Sequence, residues 1–346
     1  MTSEIAAILA MDGIAAGAIY VLMGIGLVLI FSVTRVIFVP FGDLSAITVL
    51  TLASLESGRI PGTVGLVAVL AVLATLLQVT SLVRKRKFHS IGRAIFFYLV
   101  LPLIPAGAIY FLAESALPEA ARIALAMAVT LPIAPLLDRL VFRPIADASV
   151  LLLLTVAVAL HFAISGLNLL FFGPEGVRTQ PLSGAILEFA GVIVSGQTLF
   201  VILGAVVFTG LLFGFFGFTI TGKALRATAV NRTAARIVGI RPTDMGTVAY
   251  LLASVLAAIA GILIGPGTTI FYDSGFLLGI KAFVGAIFGA LASYPLTAIG
   301  AVIVGLLESY ASFFSSNYKE VIVFTFLIPV LLWRSLTMAV HEEADE

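Results

Sequence analysis

The sequence predicts an all-α integral membrane protein, a bundle of roughly nine to eleven membrane-spanning helices with one short cytoplasmic helix. Of its 346 residues, 61% are hydrophobic and 11% are charged, whereas ordinary soluble domains carry about 25% charged residues. Long runs such as 199–221 contain no charged side chain, and about 20 apolar residues suffice for a helix to cross the hydrocarbon core. We expect a single transmembrane domain over residues 1–346, with no soluble domain at either end.

Eleven apolar segments give the predicted spans, with ends placed to within about 2–4 residues. The second has an irregular start, because Pro40 and Gly42 disrupt a helical backbone. The ninth is short and begins at Lys281, so a re-entrant or broken helix is expected there. The segments are 5–33, 38–56, 62–82, 94–113, 120–137, 149–172, 198–220, 246–267, 279–294, 296–314 and 319–336.

Basic residues determine the predicted orientation. Most of them lie in the loops 84–93, 138–147 and 222–241, with others at Arg35 and Arg334. The positive-inside rule assigns these loops to the cytoplasm, so eleven spans put the N-terminus in the periplasm and the C-terminus in the cytoplasm. The first of these loops, "RKRKFH" at its start, is expected to fix topology and to contact anionic lipid. Nucleic acid is not an expected partner beside membrane spans.

Small residues recur at four-residue spacing, which lets helix backbones approach closely within a membrane. They predict helix packing inside one subunit or, alternatively, an interface between subunits. The pairs are Gly13/Gly17, Gly210/Gly214, Gly261/Gly265 and Gly285/Gly289.

One stretch imitates a nucleotide-binding loop. "GFTITGKA" at 217–224 has the glycine and lysine spacing of a P-loop, but Ala224 stands where Ser or Thr would bind Mg²⁺. Gly217 also ends a membrane span, whereas a P-loop follows a strand of a soluble α/β sheet. The chain is therefore not predicted to bind ATP itself.

The loop 222–241 carries five basic residues and no acidic one. Its alanine content favours a helix, Gly239 is suited to end that helix, and Pro242 prevents its continuation. Two interpretations fit this segment. It is either a positive-inside loop that happens to be helical, or a basic surface helix on which a cytoplasmic partner docks.

The stretch "GKALRATAVNRTAARIVGI" resembles the coupling loop of the inner-membrane permeases of branched-chain amino acid ABC importers, the LivH type. Four further stretches agree with that family in order and spacing: "DGIAAGAIYVLMGIGLVLIFSVTRVI" at 12–37, "DRLVFRPIADAS" at 138–149, "GIKAFVGAIFGALASYPLTAIGAVIVGLLESY" at 279–310 and "YKEVIVFTFLIPVLLWR" at 318–334.

This resemblance implies the permease subunit of an ATP-driven importer in the bacterial inner membrane. Such a subunit moves branched-chain or other amino acids, or similar small polar or carboxylate solutes, by alternating access. It implies four kinds of partner: a second homologous permease, two cytoplasmic ATP-binding subunits, a periplasmic solute-binding protein and membrane lipid. It implies no cofactor, no metal and no catalytic site in this chain. The residues to which it assigns ATPase coupling are Gly222, Arg226, Ala227, Asn231, Ala235 and Gly239.

The chain departs from the family pattern in three places. "FVPFGD" at 38–43 keeps Gly42 and Asp43 but lacks the amide and imidazole of the family's usual "NFAHGD". Residues 80–113 look like an insertion of a basic loop with an extra span. "RSLTMAV" follows the last span in place of an Arg-Pro-x-Gly-Leu pattern. Because the first departure lies near the expected solute path, the identity of the solute stays open.

Polar residues at membrane depth are costly and are functional candidates by default. His161, Ser165 and Asn168 fall on one helix face. These groups either line a solute path or play other roles: hydrogen bonds between helices for His161 and Asn168, contact with outer water for Glu308, and snorkelling for Lys281. The candidate path residues are Gly42, Asp43, His161, Asn168, Lys281 and Glu308.

A second class of function is an ion-coupled secondary transporter that uses His161 or Glu308 as a proton site. An intramembrane enzyme is set aside, because the chain has no cysteine and three histidines. Two of these, His89 and His341, lie outside the predicted spans.

Overall fold

The computed structural model describes residues 3–113, 115, 117–189, 192–326, 328–330 and 332. Arg334 and the C-terminus, to which the sequence assigns a cytoplasmic location, lie outside the described residues. Within them, eight helices are long and apolar enough to cross a membrane. The fold is a polytopic helical membrane bundle, as predicted.

The helices follow one another with short connections, except between α8 and α9. They are α1 (Ser3–Thr34), α2 (Phe41–Glu56), α3 (Thr63–Arg84), α4 (Ile91–Ile95), α5 (Leu101–Leu112), α6 (Glu119–Thr130), α7 (Ile133–Leu137), α8 (Val150–Phe172), α9 (Gly196–Phe218), α10 (Ile220–Val230), α11 (Arg232–Ile237), α12 (Pro242–Ile264), α13 (Ser274–Phe288), α14 (Tyr294–Phe314) and α15 (Lys319–Thr325). A 3₁₀ turn (Phe88–Ser90) leads into α4, and a π-helical turn (Phe96–Val100) joins α4 to α5 in one continuous helix. A π-helical turn (Asp138–Phe142) and a 3₁₀ turn (Arg143–Ile145) extend α7.

A small hairpin interrupts the helices between α8 and α9. Its strands, β1 (Ile186–Phe189) and β2 (Val192–Ser195), pair antiparallel, with Ile186 opposite Ser195. An isolated bridge between Val177 and Ile270 joins the same connection to the segment before α13. The sequence analysis did not predict these strands.

The interior is built around α1, α2 and α12. Most of α2 is buried, and α12 packs against both α1 and α2. In contrast, α9 exposes large apolar side chains such as Leu203 (63% exposed) and Phe213 (78% exposed). An apolar surface of this kind suits contact with lipid chains.

Glycines allow the interior helices to touch backbone to backbone. A Cβ at Gly17 would lie 2.7 Å from the Cα of Val302, so α1 and α14 meet without a side chain between them. The prediction of close packing is confirmed for three of the four glycine pairs: Gly13/Gly17, Gly261/Gly265 and Gly285/Gly289. Among the described residues, Gly210 and Gly214 contact no other helix, so for this pair the alternative of an interface between subunits stays a prediction.

The connection from α1 to α2 is not helical. Thr34 ends α1, Arg35 has a positive φ of 63°, and α2 begins at Phe41. Val36 and Phe38 in this connection are buried. Irregular backbone at membrane depth has to be buried within the protein. This buried connection places the first turn of α2 inside the bundle.

The short helix α13 begins earlier than the sequence analysis predicted. It starts at Ser274, so Lys281 lies inside the helix and is buried rather than at its beginning. The reason is tertiary contact. Gly275 and Gly279 let the first turns of α13 lie against α2, a stabilisation that the local sequence does not reveal.

Candidate functional site

A buried carboxylate and a buried imidazole meet where α2 begins. Asp43 stands in the first turn of α2 and is fully buried, and its Oδ2 lies 2.8 Å from Nδ1 of His161 on α8. The His161 ring stacks on Phe276 of α13 at a centroid distance of 4.8 Å. Three helices therefore meet at this pair, which gives Asp43 an imidazole partner that its own motif lacks.

Glycines place α13 directly against Asp43. A Cβ at Gly42 would lie 1.9 Å from the carbonyl oxygen of Gly275, and a Cβ at Gly275 would lie 2.3 Å from Oδ1 of Asp43. Neither position can hold a side chain without moving a helix. The carboxylate also lies at the first turns of both helices, where the positive end of the helix dipole favours negative charge.

Asn168 continues the polar face of α8. Its Nδ2 donates to the carbonyl oxygen of Tyr272, 3.2 Å away, in the segment before α13. Among the described residues, the Oδ1 of Asn168 and the buried hydroxyl of Ser165 have no hydrogen-bond partner. His161 and Asn168 thus make the contacts between elements that the sequence analysis offered as the alternative to a solute path.

A second group of charges surrounds Lys281. Its ammonium lies 2.6 Å from Oε1 of Glu308 and 3.0 Å from Oε1 of Glu320. Tyr20 of α1 donates to the other oxygen of Glu308 at 2.5 Å. We call Tyr20, Lys281, Glu308 and Glu320 the lysine cluster; it joins α1, α13, α14 and α15.

The lysine cluster corrects the expectation that Lys281 snorkels to the membrane surface. Its side chain is 6% exposed and points to carboxylates rather than to water. The sequence analysis missed Tyr20 and Glu320 as members of the cluster. For Tyr20 the sequence did contain a signal, because its phenol lies within an otherwise apolar run. For Glu320 it contained none, because a charged residue at the end of a span is common.

A cavity of about 380 Å³ adjoins the lysine cluster. Tyr20 and Glu308 line it together with Asp12, Gln197, Thr198 and Thr268. Asp43, His161 and Asn168 do not line this cavity. The six candidate path residues therefore form two groups, and α13 carries residues that touch both.

The basic loop forms two helices where one was predicted. Asn231 leaves helical geometry at φ −151°, and its Oδ1 accepts hydrogen bonds from the amides of Thr233 and Ala234 at 3.0 and 2.9 Å. It thereby caps α11 after α10 has ended. Asparagine is a strong N-cap, and this preference outweighs the alanine-rich composition that predicted one helix. We call α10 and α11 the coupling segment.

Glycines fix both ends of the coupling segment. A Cβ at Gly222 would lie 2.3 Å from the carbonyl oxygen of Phe215, so only glycine lets α10 turn back against the end of α9. Gly239 has a φ of 89°, and the next amide, of Ile240, donates to the carbonyl of Ala235 at 2.9 Å. This is a Schellman ending, so the prediction that Gly239 ends the helix is confirmed.

The two faces of the coupling segment differ. Leu225, Thr228 and Ala235 are buried against the chain, whereas Arg226 and Ala227 are exposed. The large apolar side chains that are exposed are those of Ile220, Val230 and Ile237, together with Val238 directly after α11. A face with both basic and apolar side chains is therefore open. The side chain of Ala235, 2% exposed, lies on the inner face of the segment.

Comparison with known proteins agrees with the sequence motifs. The family model described as the permease component of branched-chain amino acid transport systems matches residues 9–331. The high-affinity branched-chain amino acid transport system permease protein LivH of Salmonella typhimurium is 28% identical over 208 residues, which cover 57% of this chain and 66% of LivH. LivH of Escherichia coli gives the same identity and coverage.

A third relative is the permease protein BraD of Pseudomonas aeruginosa, from a high-affinity branched-chain amino acid transport system. It is 28% identical over 167 residues, which cover 48% of this chain and 52% of BraD. The match spans slightly less than two thirds of the length of each LivH protein and about half of BraD. No solved structure matches the chain.

Proposed function

Because the chain belongs to the family of branched-chain amino acid transport permeases, we propose that it is the membrane-spanning subunit of an ATP-driven importer. Its solutes are amino acids or similar small polar or carboxylate compounds. The hydrolysis of ATP takes place in partner subunits. The observation that carries this proposal is the exposed, basic coupling segment, held rigidly between two long helices in a chain that matches the family over residues 9–331.

The attachment of the coupling segment supports a mechanical role. α10 abuts the end of α9 through Gly222, and α11 leads through Gly239 to α12, which begins at Pro242. A force applied to Arg226, Ala227 or Asn231 would therefore act on a buried helix rather than on a loose loop. In the proposed cycle, closure of two ATP-binding subunits moves this segment and opens the solute path to the outside.

The two polar groups are the proposed solute path. Asp43 with His161, and Lys281 with Glu308, provide charges of both signs at membrane depth. An amino acid carries both an ammonium and a carboxylate group, so either end could exchange with one of these partners. Gly42 lets α13 lie against the backbone beside Asp43, and Asn168 contributes an amide to the same region.

The proposed complex contains a second homologous permease, two cytoplasmic ATP-binding subunits and a periplasmic solute-binding protein. It lies in the bacterial inner membrane with the N-terminus in the periplasm. Residues 80–113 are proposed as an addition to the common fold. In support, α5 packs against α3 and α6 and exposes large side chains such as Phe111 (82% exposed), as expected for a helix at the lipid-facing edge.

Reconstitution tests the function. The chain would be purified together with candidate ATP-binding, permease and solute-binding subunits and placed in liposomes. We expect uptake of radiolabelled amino acids that requires ATP and the solute-binding protein. If the chain alone drove uptake from a proton gradient, it would instead be the secondary transporter that uses His161 or Glu308.

A further inference from the structure

Arg143 makes contacts that the proposed function leaves unused. It follows the π-helical turn after α7, and its Nε lies 2.7 Å from Oδ2 of the buried Asp138. Its Nη2 donates to the carbonyl oxygen of Thr243 at 3.1 Å and contacts the hydroxyl of Thr247. One guanidinium therefore joins the end of α7 to the first turns of α12.

The first turn of α12, which Arg143 contacts, is also the part of the chain that follows the coupling segment. The Schellman ending at Gly239 fixes the direction of the chain after α11, and Pro242 opens α12 with a restricted φ. Four residues, 238–241, thus separate α11 from α12. A displacement of the coupling segment that passes along the chain through this short connection reaches Thr243 in the first turn of α12.

Phe142, the residue before Arg143, connects it by ring contacts to the region of the proposed solute path. Phe142 is buried, and its ring lies 5.7 Å from that of Phe38 and 6.4 Å from that of Tyr250 on α12, between centroids. The rings of Phe38 and Tyr250 are 5.3 Å apart. Phe38 belongs to the irregular connection that ends at α2, whose first turn carries Asp43.

We propose that Arg143 is a positioning residue that transmits movement of the coupling segment to the solute path. The contacts run from the start of α12 to Arg143, from its neighbour Phe142 to Phe38, and from there to Asp43. This inference rests on the proposed function, because it assumes that a partner moves the coupling segment. In this role Arg143 acts through α12 and Phe142 rather than on ATP or solute.

The planar guanidinium is what suits Arg143 to this position. It presents several N–H donors in a fixed fork, so it can bind Asp138, the carbonyl of Thr243 and the hydroxyl of Thr247 together. A lysine keeps the positive charge but offers a single ammonium on a flexible stem. Arg143→Lys should therefore preserve membrane topology while it loosens the joint between α7 and α12.

The test measures ATP hydrolysis and solute uptake in the same proteoliposomes, with the whole transporter assembled around Arg143→Lys. We expect the number of solute molecules taken up per ATP hydrolysed to fall about five- to tenfold, while hydrolysis continues. Arg139→Lys is the matched control. It lies on the same segment, and among the described residues its Nε has no hydrogen-bond partner; its ratio should equal that of the unmodified protein.

A second variant keeps the proposal testable if Arg143→Lys fails to assemble. Thr247→Val removes the hydroxyl contact with little change in side-chain shape, and it should lower the same ratio to a smaller extent. The double variant should fall no further than Arg143→Lys, because the contact that Thr247→Val removes is already broken in Arg143→Lys. An unchanged ratio, or losses of uptake and hydrolysis in parallel with protein amount, would overturn the proposal. If the unmodified complex shows no ATP-driven uptake, the proposed function itself fails.

Discussion

Lys281 and Asp43 show at the scale of single residues how this chain keeps charges inside a membrane. Each is buried and each has a partner of opposite or complementary character within hydrogen-bond distance. Removal of one member of a buried charged pair typically costs about 3–5 kcal/mol, because it leaves an uncompensated charge. Experiments with variants at these positions must therefore measure protein stability as well as transport.

Glu308→Gln removes one of the two charges that face Lys281 and keeps an acceptor for Tyr20. Since Glu320 still pairs with the ammonium, we expect the protein to fold but its apparent affinity for solute to fall about tenfold, which is roughly 1.4 kcal/mol. Uptake rates at varied solute concentration give KM and the maximal rate. Glu175→Gln, in an exposed loop, is the control. Unchanged kinetics would leave Glu308 a purely structural ion pair.

His161→Ala leaves the carboxylate of Asp43 buried without its imidazole. We expect this change to lower the free energy of unfolding by about 3 kcal/mol, measured by denaturant titration of the detergent-solubilised protein. In an Asp43→Asn background the same change should cost about 1–2 kcal/mol less, since no charge is then stranded. Additive effects of the two substitutions would show that the 2.8 Å contact carries no coupling energy.

The coupling segment illustrates what sequence can and cannot determine at the scale of an element. Its basic composition and the ending at Gly239 were predictable, because both are local properties. The break at Asn231 was not predicted, because it depends on whether the side chain caps a new helix or continues the old one. The burial of Ala235 depends on how α11 folds back onto the chain.

Ala227→Glu tests docking on the exposed face of the coupling segment. A carboxylate among basic residues would oppose a partner that fits the present surface, so we expect ATP-driven uptake to be lost while the protein still inserts in the membrane. Ala120→Glu makes the same change at an exposed position on α6 and should leave uptake intact. Both uptake and membrane-fraction protein are measured.

Ala235→Glu should behave differently from Ala227→Glu. Ala235 is 2% exposed, and a buried unpaired carboxylate is strongly destabilising. We expect less protein in the membrane fraction for this variant, as quantified by immunoblot. A normal amount of inserted but inactive protein would instead assign Ala235 to the docking face.

The long spans were predictable from sequence, whereas the interior arrangement was not. α8, α9 and α12 follow from long apolar runs, since the bilayer sets their length. The early start of α13 was missed because its support comes from α2, distant in sequence. Likewise, the partners of Lys281 lie 27 and 39 residues away, and only the packing of α13, α14 and α15 brings them together.

At the scale of the whole molecule, the orientation in the membrane is open to a direct test. The chain has no cysteine, so single cysteines can be added without removing any. In intact cells whose outer membrane has been permeabilised, a membrane-impermeant maleimide should label Arg59→Cys, between α2 and α3. It should label His89→Cys, between α3 and α4, only after the inner membrane is opened. The reverse pattern would refute the predicted periplasmic N-terminus.

The charges around Lys281 do not balance, and this has a consequence for the cavity beside them. One ammonium faces two carboxylates, and Asp12 adds a further carboxylate to the cavity wall. The potential inside is therefore negative, and it attracts cations and repels anions. A dipolar solute that entered would bind with its amino group toward these carboxylates and its acid group away from them.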